Sequence, residues 1–188
     1  MDKPFKGVVL IDQDGPLADF EKGFIEKFRK TFPEERFVPY LLRKSFYIRD
    51  DYPGDMIDKL EGICHAPGFF KGLPLVPGCM EAVHGLLELG YDVRICTSPL
   101  FHYENCVKEK YEWVEEHFGR NFTNRIILTK DKTVVRGKFL IDDKPEIIGI
   151  TTPEWKHILF DAPYNNRLTH RERINNNWEG WREVLLRR

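Results

Sequence analysis

The sequence predicts an α/β fold, with a mostly parallel sheet of about five strands, helices on both faces and a small helical insertion after the first strand. Three observations carry this. The run VVLI, Val8 to Ile11, is apolar at every position and stops at polar residues and a glycine, as a short strand buried on both faces does. From Pro77 onward, short apolar runs alternate with stretches of helical period, which calls for crossover connections and parallel pairing. Between Glu34 and about Leu75 there is no strand pattern, and Pro39, Pro53 and Pro67 divide the segment into what reads as a group of short helices.

In chain order, the first strand delivers Asp12 and Asp14 to its carboxyl end, where an open α/β sheet binds its ligand. Asp12 is expected as an exposed strand-end carboxylate, and Gly15-Pro16 breaks the strand so that the two carboxylates can point apart. A polar strand end followed by a turn is the plain alternative for Asp-x-Asp-Gly by itself. Phe20, Phe24, Phe28 and Phe32 then recur every fourth residue among charged ones, giving an amphipathic helix with one aromatic face that Pro33 ends. The insertion, 20–75, separates the first strand from the rest of the sheet and is placed as a lid over its carboxyl end; 1–19 and 76–188 form the core.

Met80, Val83 and Leu87 mark a helix ending near Gly90. The second strand, Tyr91 to Ser98, ends on Thr97 and Ser98. The helix after it, about Tyr103 to Phe118, is expected to turn Tyr103, Val107, Tyr111, Val114 and Phe118 inward. RIILT, Arg125 to Thr129, is the third strand and hands Lys130, Asp131 and Lys132 to its loop; KFLIDD, Lys138 to Asp143, is the fourth and ends in an acidic pair. HILFDA, His157 to Ala162, is the fifth, and the tail reads as a helix N-capped by Asn177 that carries Trp178, Trp181 and Leu185 inward.

A chain of 188 residues with 41% hydrophobic and 31% charged residues suits one soluble globular unit rather than a disordered chain. With 29 basic against 30 acidic residues, no general footprint for a nucleic-acid polymer exists. No apolar run is long enough to span a bilayer and MDKPFKG lacks the apolar core of a secretory signal, so the expected location is cytoplasmic with no membrane partner. Cys64, Cys79, Cys96 and Cys106 form no C-x-x-C pair and are expected as free thiols. The oligomeric state is left open, a homodimer included.

Parallel strands would bring Asp12, Asp14, Thr97, Ser98, Lys132, Asp142 and Asp143 to one rim. A carboxylate attacking a phosphate monoester dianion there meets repulsion on the order of 8 kcal/mol, taking unit charges about 4 Å apart at an effective dielectric of 20. That would slow the reaction nearly a million-fold at about 1.4 kcal/mol per decade. Cations must offset it. The lysine supplies one, and the acidic cluster suits a hard, oxygen-loving ion for which Mg2+ is the natural choice.

In this order, DQDG at 12–15, TS at 97–98, Lys132 and the IDD ending at Asp143 resemble the four motifs of the haloacid dehalogenase superfamily, whose core is Rossmann-like. Further stretches, among them DGPLADF, APGFF at 66–70, ICTSPL at 95–100, EKYEWVE at 109–115, RIILTKDKTVV at 125–135 and PEWKHILF at 153–160, are similar to the animal 5'(3')-deoxyribonucleotidases. The resemblance implies hydrolysis of deoxyribonucleoside monophosphates, a small-molecule nucleotide substrate. It implies Asp12 as nucleophile, Asp14 as general acid and then base, Thr97 and Lys132 on the phosphoryl oxygens, and Mg2+ held by Asp12, the Asp14 carbonyl and Asp143, with Asp142 outside that shell. Phe20, Phe46, Tyr47 and Ile48 would line the base pocket, with Ser98 and Lys130 near sugar and phosphate. Cys64, Tyr47, Lys130 and Pro16 depart from the family's commoner residues, and Cys64 removes a ring from the base pocket. Two alternatives stay open: a phosphatase of another small phosphometabolite, and a phosphate-responsive receiver module.

Overall fold

The computed structural model describes residues 4–187. Its strands are β1 (Val8–Ile11), β2 (Asp92–Thr97), β3 (Ile126–Leu128), β4 (Phe139–Asp142), β5 (Lys156–Phe160) and β6 (Arg173–Ile174). They form one sheet in the order β3-β2-β1-β4-β5-β6, parallel at every pairing. The described residues thus give six strands rather than about five. The additional one, β6, is a two-residue edge strand, too short to leave a periodic signature. Val9, Leu10 and Ile11 are fully buried because helices cover both faces of this central strand.

Five α-helices accompany the sheet among the described residues: α1 (Phe20–Thr31), α2 (Ile57–His65), α3 (Cys79–Glu88), α4 (Glu104–Phe118) and α5 (Trp181–Leu186). Asp19 caps α1 by accepting from Lys22 N at 3.0 Å. As the fourfold spacing predicts, Phe24 and Phe28 are buried and Phe20 and Phe32 pack partly against them. Single 3-10 turns at Tyr40–Leu42, Ile48–Asp51 and Gly54–Met56 precede α2, so the proline-divided segment is a set of short helical pieces. Leu60 and Ile63 of α2 join the same apolar cluster as Val9, Ile11, Val93 and Ile95.

Two sequence expectations need correction. The inward face of α4 is Cys106, Glu109, Lys110, Trp113 and Val114, while Tyr103 and Tyr111 are 61% and 38% exposed. Trp113 and Cys106 fix that face, and it is rotated by about one residue from the tyrosine-based stripe. The tail helix starts at Trp181, not beside Asn177, because Trp178 and Gly180 both adopt positive φ and interrupt the chain. Asn177 instead accepts from Glu179 N at 3.1 Å and caps the preceding turn, while Trp178, still buried, donates its indole N–H to Pro16 O at 2.7 Å. No helix among the described residues is long and apolar enough to cross a membrane. All four cysteines are free.

Candidate active site

The sheet reverses its building direction at β1, with β2 and β3 on one side and β4, β5 and β6 on the other. Asp12 follows β1 directly, Thr97 ends β2, and Asp142 and Asp143 end and follow β4, so the three central strands meet at the crevice where such sheets bind ligands. Beyond β1 the chain turns sharply: Gly15 N donates to Ala18 O at 2.9 Å and Ala18 N to Gln13 O at 2.8 Å. Gly15 has φ +95°, and a Cβ there would lie 2.7–2.9 Å from the Asp143 carboxylate, so only glycine allows this approach.

Asp12 is 9% exposed, not the open carboxylate expected of a strand end, because the β3–β4 connection folds Lys132 over it. Lys132 Nζ lies 2.8 Å from Asp12 Oδ2 and 2.6 Å from Asp142 Oδ2. A 3-10 turn at Lys132–Val134, capped by Asp131 through Thr133 N at 2.9 Å, sets this position. Burial alone would lower the Lys132 pKa, but the two carboxylates outweigh it and hold the ammonium charged. Burial pushes Asp142 up to about 6 against the pull of Lys132, and raises Asp143 well above the usual carboxylate range, with Asp142 and Asp12 adding to it.

One residue missing from the sequence-based set stands at the centre. Lys110, on α4 and fully buried, places Nζ 2.5 Å from Asp14 Oδ2 and 3.1 Å from Thr97 Oγ1, and 4.9 Å from the ring centroid of Phe70. Burial raises the Asp14 pKa while the Lys110 charge pulls it back. The signal was present in the sequence: Glu109 and Lys110 fall at helical spacing from Cys106 and Trp113, which puts charge on the face that those residues bury. Glu109 accepts from the backbone N–H groups of Gly68 at 2.6 Å, Phe70 at 3.0 Å and Lys71 at 3.4 Å, fastening the segment that returns from the insertion.

The donor set fits a hard cation. Asp12, Asp142 and Asp143 each bring a carboxylate oxygen within 4.8 Å of the others. Asp142 is already committed, since Oδ2 meets Lys132 and Oδ1 accepts from Lys144 N at 2.9 Å. Asp143 Oδ1, by contrast, is buried with no hydrogen-bond partner among the described residues, and a hard cation would satisfy it.

The remaining expected residues divide into groups. Ser98 Oγ donates to Thr129 O at 2.8 Å and Lys130 Nζ donates to Pro99 O, so both are engaged along the β2–β3 rim. Phe46 and Tyr47 pack edge to face at 5.1 Å, with Lys144 Nζ 5.4 and 5.7 Å from their ring centroids. Ile48 and Cys64 pack partly against the main core, and burial pushes the Cys64 thiol up to about 12, so it is neutral. Phe20 instead meets Phe69 edge-on at 5.4 Å and lines a cleft of about 340 Å³ with Gly15, Val76, Asp143 and Tyr164. The described contacts therefore make two groups, Asp12 with Lys132, Asp142 and Asp143 and Asp14 with Thr97 and Lys110, whose charges bear on one another, while Phe20 lines its cleft beside Tyr164, the ring on which Phe46 stands edge-on.

Residues 6–188 match the family model described as 5' nucleotidase, deoxy (pyrimidine), cytosolic type C protein. A protein of Bordetella pertussis is 54% identical over 178 residues, 95% of both chains. The human cytosolic-type 5'(3')-deoxyribonucleotidase is 48% identical over 185 residues, covering 94% of this chain and 92% of that one. The human mitochondrial 5'(3')-deoxyribonucleotidase is 42% identical over 186 residues, 94% and 81%. The crystal structure of a HAD family hydrolase from Deinococcus radiodurans, with bound phosphate and sodium, superposes with a TM-score of 0.58 over 98% of this chain and 96% of that one, at 16% identity, which bears on the fold alone.

Proposed function

The chain belongs to the 5' nucleotidase, deoxy (pyrimidine), cytosolic type C family, and from that premise we propose that it is a Mg2+-dependent phosphatase that hydrolyses deoxyribonucleoside monophosphates through an aspartyl-phosphate. The observation that carries the reading is Asp12 beside a charged Lys132 at 2.8 Å, with Asp14 and Lys110 across the same strand end.

Asp12 attacks phosphorus through a carboxylate oxygen as the bond to the nucleoside oxygen breaks, and Asp14 gives that oxygen a proton. Water then attacks the phosphoryl group, Asp14 takes its proton, and the bond to Asp12 breaks to release phosphate. Lys132 and Thr97 hold the phosphoryl oxygens through both steps. Held by Asp12, the Asp14 carbonyl and Asp143, Mg2+ would supply positive charge against the repulsion between Asp12 and the dianion. Asp142, with both oxygens committed, orients Lys132. Residues 20–75 serve as the lid over the 1–19 and 76–188 core, with the nucleoside between them, and the setting is the cytosol.

A substrate panel tests this: dUMP, dTMP, dGMP, UMP and simple sugar phosphates, each with Mg2+ and with a chelator. Deoxynucleotides should lead, the chelator should silence turnover and added Mg2+ should restore it. Cys64 in place of a ring, on α2 and packed partly against the main core, favours one second reading, a phosphatase of another small phosphometabolite. A sugar phosphate far ahead of every nucleotide would select it.

A further inference from the structure

We infer that Tyr164 is a positioning residue shared by the metal site and the lid, its hydroxyl fixing Asp143 so that one carboxylate oxygen is left for the ion and its ring seating Phe46. This rests on the function proposed above. Tyr164 lies in the 3-10 turn Pro163–Asn165, just after β5. Asn165 closes that turn by accepting from Ala162 N at 3.2 Å, and it donates to the carbonyls of Asp143 at 2.9 Å and Phe160 at 2.8 Å. The turn is therefore pinned to the backbone of the residue whose side chain Tyr164 holds. Tyr164 Oη donates to Asp143 Oδ2, which leaves Oδ1 as the buried oxygen without a partner. A carboxylate held this way presents one oxygen in a fixed direction, and partners of this kind commonly govern metal affinity by about 10- to 100-fold.

The other side of Tyr164 faces the insertion. Phe46 stands edge-on to the Tyr164 ring at 5.8 Å and 85°, and the Arg43 guanidinium lies 5.7 Å from its centroid. Arg43 is buried. It pairs with Glu21 at 2.5 Å and Asp51 at 2.6 Å, and donates to the carbonyls of Ser45 at 2.9 Å and Phe46 at 3.4 Å. The loop that carries Phe46 is thus tied through Arg43 to α1 and rests on Tyr164, which places a single side chain between the ion's ligand and the wall expected to meet the base.

The two contacts are separable. Tyr164→Phe deletes the hydroxyl and keeps the ring; Tyr164→Leu deletes both. The test is calorimetric titration of the full chain with Mg2+ alone, then kcat and KM at saturating Mg2+ for the best substrate of the panel, with thermal melts to confirm folding. Tyr164→Phe should weaken Mg2+ binding at least 10-fold and leave KM within about twofold. Tyr164→Leu should weaken Mg2+ equally and raise KM at least fivefold. Mg2+ affinity within twofold of wild type in Tyr164→Phe overturns the proposal, whatever Tyr164→Leu does, and so does a folded Tyr164→Leu whose KM matches that of Tyr164→Phe. A wild-type chain that binds no Mg2+ ends this proposal and the functional one together. One that binds Mg2+ but turns over nothing in the panel ends the functional reading, while the hydroxyl's role is still decided by the titration.

Discussion

Lys110 Nζ lies 2.5 Å from Asp14 Oδ2, an ion pair whose cation has no solvent exposure at all. A buried ammonium is costly unless paired, and here Asp14, Thr97 and the face of Phe70 offset the cost. The pair aims Asp14 at the strand end where the leaving oxygen would sit. Lys110→Met keeps the length of the side chain and removes the charge. It should lower kcat at least 100-fold with a smaller change in KM, read from steady-state kinetics on protein shown to be folded. A kcat within threefold of wild type would make Lys110 a packing residue only.

Asp12→Asn should abolish turnover, since an amide is no nucleophile toward phosphorus. The buried setting of Asp12 changes the expected stability effect. Asp12, Asp142 and Asp143 crowd three carboxylates around Lys132, so the substitution relieves repulsion among them but gives up the 2.8 Å pair of Asp12 with Lys132, which keeps its 2.6 Å pair with Asp142. The two effects offset each other, and the melting temperature should be nearly unchanged, checked by calorimetry without added metal. Retained activity, or a large fall in the melting temperature, would contradict the assignment.

The residues that the sequence revealed are those whose position follows from strand ends. VVLI, RICT and FLID are short apolar runs, and in a parallel sheet their carboxyl ends meet whatever the details of packing, so Asp12, Thr97 and Asp142–Asp143 were legible. Lys110 was harder to read: Cys106 and Trp113 mark its face, but a helix face must be inferred from which residues it buries, and Tyr103 and Tyr111, which face solvent, line up with the buried Val114 as a competing stripe. β6 offered two residues and no period. Tyr164 sits in a turn after a strand, where a local pattern does not record that its hydroxyl reaches back 21 positions to Asp143.

Glu109 makes a second prediction about α4, this one on stability. Its carboxylate, 6% exposed, accepts three backbone N–H groups from 68–71, the one of Phe70 buried and those of Gly68 and Lys71 partly so, so replacing one of its oxygens leaves donors without an acceptor. Charge-assisted bonds of this kind contribute about 1.5–3 kcal/mol, and an unsatisfied buried donor costs about 1–3 kcal/mol. Glu109→Gln keeps one acceptor oxygen, turns an amide N–H toward the remaining donors and should lose about 1–3 kcal/mol in urea unfolding. A loss under about 0.5 kcal/mol would show that the segment holds itself in place.

His157 on β5 supplies the pH dependence. Burial pushes its pKa down from 6.5 to about 4; a weak contact of Nε2 with Asp142 O at 3.3 Å opposes this, and the Arg171 and Lys132 charges reinforce it. Between pH 6.5 and 4 the unfolded chain binds a proton that the folded chain refuses, so stability is complete above about 6.5 and is lost as the pH falls. At 1.36 kcal/mol per unit, the loss from pH 7 to pH 5 is about 2 kcal/mol. Asp14, Asp142 and Asp143, raised in the folded state, act in the opposite sense, so a single stability profile mixes the two. His157→Gln isolates the histidine because the amide can still donate to Asp142 O and does not titrate. Urea unfolding with a chelator present should show the variant gaining about 2 kcal/mol on wild type between pH 7 and pH 5. A difference that stays constant across that interval would mean that His157 takes up its proton as freely in the folded chain as in the unfolded one.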